Sequence, residues 1–250
     1  MYESQPFIVS QAPAADRVAF YRRTYAHVAG AFAAFGALLY FFFDSGFAVG
    51  HNFPSEIGGI MGSLNSLMNV AGIFGYIVIL LAFWGGTYVA QRLATSGASV
   101  ASQYAGLSLY VLLQALIFIP LITIVSLQTG GNAKEILIPA CGVTGALVFG
   151  LSVAVFFTGV DFSFLRVAII IGSIAALGAI IVFSIMGINP GTWFSLAMIL
   201  LMATVILYQT WVIKDQCSTQ DHVLAAFILF SAFVTLLWYV IQFFMGRRNE

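Results

Sequence analysis

Few side chains in this sequence have the type and spacing that chemistry requires. Asp215 and Asp221 fall in one polar loop, where paired carboxylates would attract a cation loosely, although loop carboxylates are usually only solvated. Cys217 and His222 have the spacing C-x4-H, which offers two zinc ligands without the second pair that a structural site needs. His27 is the one group that titrates near neutral pH inside an apolar segment. It would either respond to protons or simply face lipid headgroups or a neighbouring helix.

The sequence lacks the usual machinery of enzymes. All nine acidic and all nine basic residues fall in a tail, in a loop or at the end of an apolar segment. The motifs G-x-S-x-G, H-E-x-x-H, G-x-x-x-x-G-K-[ST] and G-x-G-x-x-G do not occur. We therefore expect a protein that is not an enzyme and that has no catalytic residue, no cofactor and no metal centre.

The composition indicates the elements that carry these residues. The 250 residues are 61% hydrophobic and only 7% charged, whereas a soluble domain carries about 25% charged residues. A membrane-spanning helix needs about 20 mostly apolar residues. Seven segments qualify: 24–43, 69–91, 104–127, 136–158, 164–187, 192–213 and 222–246. Together they form one transmembrane domain over 20–250, which follows a short polar tail over 1–19. The sequence thus predicts an all-α integral membrane protein, a bundle of seven transmembrane helices.

The distribution of basic residues predicts the orientation. Six of the Lys and Arg residues fall on the side of the N-terminus and three on the other side, which favours a cytoplasmic N-terminus. The one long loop, 44–68, has a weak helical pattern that suits the membrane interface. The other loops are compact, as in a multi-pass protein of a bacterial inner membrane. The net charge of zero gives no reason to expect nucleic acid as a partner.

Amides and hydroxyls are the polar groups left inside the spans. Gln114 lies in the third span, Gln209 in the sixth and Gln242 in the seventh, accompanied by Thr204, Ser231 and Thr235. Each alone is best explained by a hydrogen bond between helices, worth about 0.6 kcal/mol on average. Together they would also suit the lining of a narrow polar path.

One turn carries a family resemblance. In "LSVAVFFTGVDFSFLRVAIIIGSI", residues 151–174, one span ends and Asp161-Phe162-Ser163-Phe164-Leu165 opens the next. Asp161 and Ser163 are good N-cap types, and a carboxylate suits the positive end of a helix dipole. The turn resembles the D-[FL]-S-F-L turn of the Bax inhibitor-1 family. Four further segments are similar to that family in the same order: "RVAFYRRTYAHVAGAF" (17–32), "VILLAFW" (78–84), "SLYVLLQALIFIPLI" (108–122) and "TVILYQTWVI" (204–213).

The resemblance implies a pH-sensitive calcium leak, or a regulator of cell-death and stress machinery. In the leak-competent members two aspartates of the sixth and seventh helices share protons, and an arginine at the end of the second helix latches them. The sixth-helix aspartate maps to Gln209, and the seventh-helix aspartate maps to about Ala232, beside Ser231. The arginine maps to Gly85 or Gly86. All three charges are absent together, which leaves no unpaired buried charge.

Two functions remain open. The first is a leak or channel for calcium, another ion or a small solute, lined by Gln209, Gln114 and the hydroxyls near Ser231, without the steep acid response of an aspartate pair. The second is a regulator that transports nothing and binds another membrane protein, such as a membrane-anchored AAA protease. The missing charged centre beside an intact scaffold motivates this alternative.

Overall fold

The computed structural model describes residues 8–95, 99–187 and 191–248, and its regular elements are helices. A single 3-10 turn, Val9–Gln11, precedes the first of them. One isolated antiparallel bridge joins Ile8 to Ser218. The predicted all-α fold is therefore confirmed. The described ranges contain eight α-helices: α1 (Ala14–Asp44), α2 (Gly59–Ala71), α3 (Ile73–Thr95), α4 (Val100–Gln128), α5 (Lys134–Thr158), α6 (Leu165–Met186), α7 (Gly191–Asp215) and α8 (His222–Arg248).

Six helices within the described residues are long and apolar enough to cross a membrane. They are α1, α4, α5, α6, α7 and α8, and α6 meets the criterion over Leu165–Phe183. The helix α3 lies at the position of the remaining predicted span, so the count of seven spans stays a prediction. Most predicted ends fall within a few residues of the helix ends, because hydropathy and helix length agree there.

Two helices begin at residues other than the first residues of the predicted spans. The span predicted from residue 24 belongs to a helix that begins at Ala14, because the charged segment before residue 24 is helical too. Asp16 in its first turn suits the positive end of the helix dipole. The span predicted from residue 69 begins at Ile73. Gly72, with φ +53°, ends α2 in a left-handed conformation and separates the two helices.

Contacts between helices divide the chain into two units. The first unit contains Met1–Thr24 and Lys134–Glu250. In it α8 is the central helix, since α5 and α7 both pack against it and 67% of its most apolar stretch is buried. The helix α6 packs against α7.

The second unit contains Tyr25–Ala133. Its closest helix packing joins α3 to α4 at Gly106. A Cβ at Gly106 would lie 2.5 Å from the backbone nitrogen of Ala94 and 2.6 Å from the carbonyl oxygen of Ala90. Only glycine permits this approach of two backbones, which is the usual role of small residues between membrane helices.

The described part of the N-terminal tail docks on the loop between α7 and α8. The backbone N–H of Val9 donates to the Cys217 carbonyl oxygen at 2.8 Å, and the Ser10 hydroxyl donates to the Asp215 carbonyl oxygen at 2.9 Å. Val9 is completely buried. The tail thereby supplies donors to carbonyl groups at the end of α7, which have no partner inside the helix.

Cys217 lies in the loop that this tail contacts, and its thiol is a weak nucleophile. Burial, and secondarily the charge of Asp221, raise the pKa of the Cys217 thiol to about 11. The thiolate is the reactive form. At pH 8 we expect alkylation of Cys217 to be about a hundredfold slower than that of free cysteine, and to accelerate as the pH rises towards 11.

Maleimide labelling of a Cys141→Ser variant would measure this rate. A variant in which Cys217 is also serine and the exposed Gln220 is replaced by cysteine provides the control, and it should react at the rate of a free thiol. Asp221→Asn should accelerate labelling of Cys217, since it removes the second cause of the raised pKa. Equal rates at positions 217 and 220 would show that the Cys217 thiol is not buried.

Candidate functional site

Gln209 lies on α7 next to a buried face of that helix. The buried residues of α7 recur every three or four positions and end with Ile206, Thr210 and Ile213. Thr210 is 1% exposed. The Oε1 atom of Gln209 and the Oγ1 atom of Thr210 are buried without a hydrogen-bond partner among the described residues. Gln209 and Thr210 thus each carry a buried oxygen atom that has no hydrogen-bond partner among the described residues.

Helix α5 contributes a hydroxyl at the same depth. The Lys214 ammonium donates to the Val155 carbonyl oxygen at 2.9 Å, which brings the end of α7 beside the end of α5. About one turn earlier on each helix come Thr210 and Ser152. Ser152 is 7% exposed, and its Oγ also has no partner within the described part of the chain. Thr144, two turns further back on the same face of α5, shares this property.

Helix α8 runs antiparallel to α5 and brings Ser231 to this depth. Its register is fixed at its far end, where the Arg248 guanidinium forms a 2.6 Å ion pair with Glu135 at the start of α5. Ser231 precedes Arg248 by as many residues as Ser152 follows Glu135, about 25 Å along each helix. The Ser231 hydroxyl donates to the Ile228 carbonyl oxygen at 2.8 Å. Its neighbour Ala232 is 2% exposed.

The start of α1 adds a fourth hydroxyl near the same end of α5. Tyr21 packs edge-on against Phe156, with ring centroids 5.0 Å apart. Thr24, one turn beyond Tyr21, is completely buried, and its Oγ1 has no partner in the described ranges. We call the set Thr24, Ser152, Gln209, Thr210 and Ser231 the polar level.

A polar cavity opens at the end of the helices that form the polar level. It has a volume of about 340 Å³, and Trp211, Lys214 and Asp215 of α7 line it together with Asp161 and the two residues before Asp161. Trp211 directly follows Thr210 in sequence, so the cavity and the polar level involve neighbouring parts of α7. The cavity is lined by the carboxylates of Asp161 and Asp215 and by the Lys214 ammonium, so its two negative charges outnumber its one positive charge.

The predicted site residues fall into two groups. Gln209, Ser231 and Ala232 belong to the first unit and lie close in depth along their helices. Gly86 and Gln114 belong to the second unit, where a Cβ at Gly86 would lie 3.1 Å from the side chain of Leu113, the neighbour of Gln114. Gln114 is hydrogen-bonded to Tyr110 one turn earlier. Its amide therefore has a bonding role within α4.

The Asp161–Leu165 turn differs from its prediction in one respect. Asp161 and Ser163 do not cap α6, because the N-cap position is Phe164, which makes no side-chain cap bond. Instead the Asp161 carboxylate accepts a hydrogen bond from the Ser163 backbone N–H at 2.8 Å. This local turn stabilises the connection from Gly159, which has φ +61°, to the first residue of α6.

The structure adds little support for a metal site or for His27 as a proton-responsive residue. The described residues contain no group of three or more His, Cys, Asp or Glu side chains that would hold a metal ion. His27 is engaged with Tyr104, its Nε2 lying 2.6 Å from the tyrosine hydroxyl oxygen.

Sequence reasoning missed Thr24, Ser152 and Thr210. These residue types are close to neutral in hydropathy, and only the helix register shows that they share one depth. Thr144 and Ser152 gave the available signal, since they fall eight residues apart on one face of a single helix.

Comparison with known proteins agrees with the resemblance. A family model described as inhibitor of apoptosis-promoting Bax1 matches residues 17–249, which is nearly the whole chain. No curated protein matches it. The match and the apolar helices together identify a multi-pass integral membrane protein. The chain belongs to the inhibitor of apoptosis-promoting Bax1 family, the Bax inhibitor-1 family that its sequence resembles.

Proposed function

We propose that this protein is a leak for small cations or small polar solutes that responds little to acid. One observation carries the proposal: four buried oxygen-bearing side chains without partners in the described structure lie near one depth, beside a polar cavity. A buried polar group without a partner is costly, so such groups persist where water or a solute can reach them.

The chemistry of the polar level favours transient over tight binding. Hydroxyl and amide oxygens can replace part of the hydration shell of an ion, as the carbonyl oxygens of a selectivity filter do. They bear no net charge, and tight calcium sites use several carboxylates. The carboxylates of Asp161 and Asp215 at the cavity would raise the local cation concentration. Calcium remains one candidate ion, at low affinity.

The absence of an acid response follows from the same residues. The polar level contains no group that titrates near neutral pH, and the nearest charged side chains on α7 are Lys214 and Asp215 at its end. Gln209 stands where the family resemblance places an aspartate, and an amide cannot take up a proton in this range.

Ion flux into liposomes would test the proposal. With calcium or sodium as the ion and an indicator dye inside, wild-type flux should exceed that of empty liposomes and stay nearly constant from about pH 6 to pH 8. Gln209→Asp should make flux change severalfold over this range, because it adds a titratable charge at the polar level. Gln220→Asp, at an exposed loop position, is the matched control and should behave like the wild type. A steep acid response of the wild type, or no flux above empty liposomes, would contradict the leak.

A second candidate is a regulator that binds another membrane protein, such as a membrane-anchored protease. The supporting observation concerns α6, in which no residue of the most apolar stretch is buried within the chain. Its exposed side chains include Ile174 and Ile181. Lipid alone can cover this surface, so the observation is compatible with both candidates.

Site-specific photocrosslinking in native membranes would test the regulator. A photoreactive residue at Ile174 or Ile181 should capture one specific protein, whereas the same residue at Phe157, exposed at the end of α5, should not. Capture of lipid alone from both α6 positions would argue against this second function.

A further inference from the structure

A groove separates α1 from α4 within the second unit. It is open on one side and has a volume of about 520 Å³. The residues that shape it are His27, Gly30, Ala34 and Leu38 of α1, and Ser108 and Val111 of α4.

The groove exists because α1 presents small residues to it. Ala26, Gly30 and Ala34 recur at every fourth position, so they share one face of the helix. A Cβ added at Gly30 would meet nothing within 4 Å. Small residues usually let membrane helices approach closely. Here the space beside Ala26, Gly30 and Ala34 stays open, so a molecule other than α4 can occupy it.

The lining changes from polar to apolar along the groove. At one end the lining contains His27, whose Nε2 lies 2.6 Å from the hydroxyl oxygen of the neighbouring Tyr104, and Ser108, which lies one turn beyond Tyr104 on α4. At the other end Leu38 and Val111 supply only hydrocarbon. A ligand that matches both ends has a polar head and an apolar chain.

The dimensions of the groove match one leaflet of a bilayer. From His27 to Leu38 the helix rises about 16 Å, close to half of the roughly 30 Å hydrocarbon thickness. His27 lies about one turn inside the predicted first span, so the polar end of the groove is the end nearer a membrane surface in that topology. A partner helix that crossed the membrane would require contact over about twice this length.

We propose that the groove binds one acyl chain of a membrane phospholipid, with the ester region at His27 and Tyr104 and the chain end near Leu38. The side chains at the polar end are hydrogen-bonding partners for ester carbonyl and phosphate oxygens. This inference does not depend on the leak, since all its residues belong to the second unit.

Photocrosslinking with a modified lipid tests the proposal. The purified protein is reconstituted in phosphatidylethanolamine and phosphatidylglycerol liposomes. These contain a trace of phosphatidylethanolamine with a diazirine near the methyl end of its palmitoyl chain. Mass spectrometry after illumination should locate adducts around Leu38 and Val111. Gly30→Leu fills the groove and should lower the yield of these adducts about fivefold. Ala34→Leu and Ser108→Leu, from the two sides of the groove, should do the same.

Gly36→Leu is the matched control. Gly36 lies on the same helix, is exposed and has nothing within 4 Å of an added Cβ, but it does not line the groove. The yield should stay at the wild-type level. A melting curve and a single chromatographic peak for each variant would show that the fold is retained.

Two results would overturn the proposal. The first is equal adduct yield in the groove-filling variants and in Gly36→Leu, which would indicate only the lipid that surrounds any membrane helix. The second is a crosslink between two copies of α1 that disappears in Gly30→Leu, which would assign the groove to a second copy of this chain.

Discussion

The fold depends on one constraint: the hydrocarbon core of a bilayer offers no hydrogen-bonding partner. Helices satisfy this constraint for the backbone, since each bonds its own amide and carbonyl groups. Side-chain oxygens must find partners separately. Many hydroxyls in this chain do so by donating to a carbonyl oxygen one turn earlier, as Thr204 does to Leu200 and Thr235 to Ser231. The oxygens of Thr24, Ser152, Gln209 and Thr210 stand apart because they have no such partner in the described structure.

A neutral polar level costs less inside a membrane than a charged one. A charged side chain in a spanning helix costs up to about 3 kcal/mol on insertion scales, the largest cost being at the helix centre, whereas hydroxyls and amides carry no charge to bury. The resemblance implies aspartates and a latching arginine, and this chain has Gln209, Ala232 and Gly86 instead. Loss of one charge alone would leave its partner unpaired and buried. Because both aspartates and the arginine are absent together, the chain keeps the scaffold of the family with a neutral interior and no unpaired charge.

The sequence predicted the elements better than the site. Hydropathy located the apolar spans because the length of an apolar run depends only on consecutive residues. It located the apolar part of α1 but not the start of the helix, since charged residues such as Arg22 and Arg23 extend the helix before the apolar part. It also missed the break at Gly72, which depends on one backbone angle. Gln209 was predicted from its type and from the resemblance of its segment, 204–213, to the family's sixth helix. Its hydroxyl neighbours were not, because their common depth follows from contacts between distant residues, such as Lys214 with Val155 and Arg248 with Glu135.

The presence of water at the polar level is the central claim, and an experimental structure that shows ordered solvent tests it most directly. We expect at least one water molecule within hydrogen-bonding distance of Gln209 Oε1 and of the hydroxyls of Ser152 and Thr210. That water should connect to the cavity beside Trp211. A dry interior, in which these hydroxyls rotate to bond carbonyl groups of their own helices and the Gln209 amide bonds a neighbouring side chain, would contradict the account.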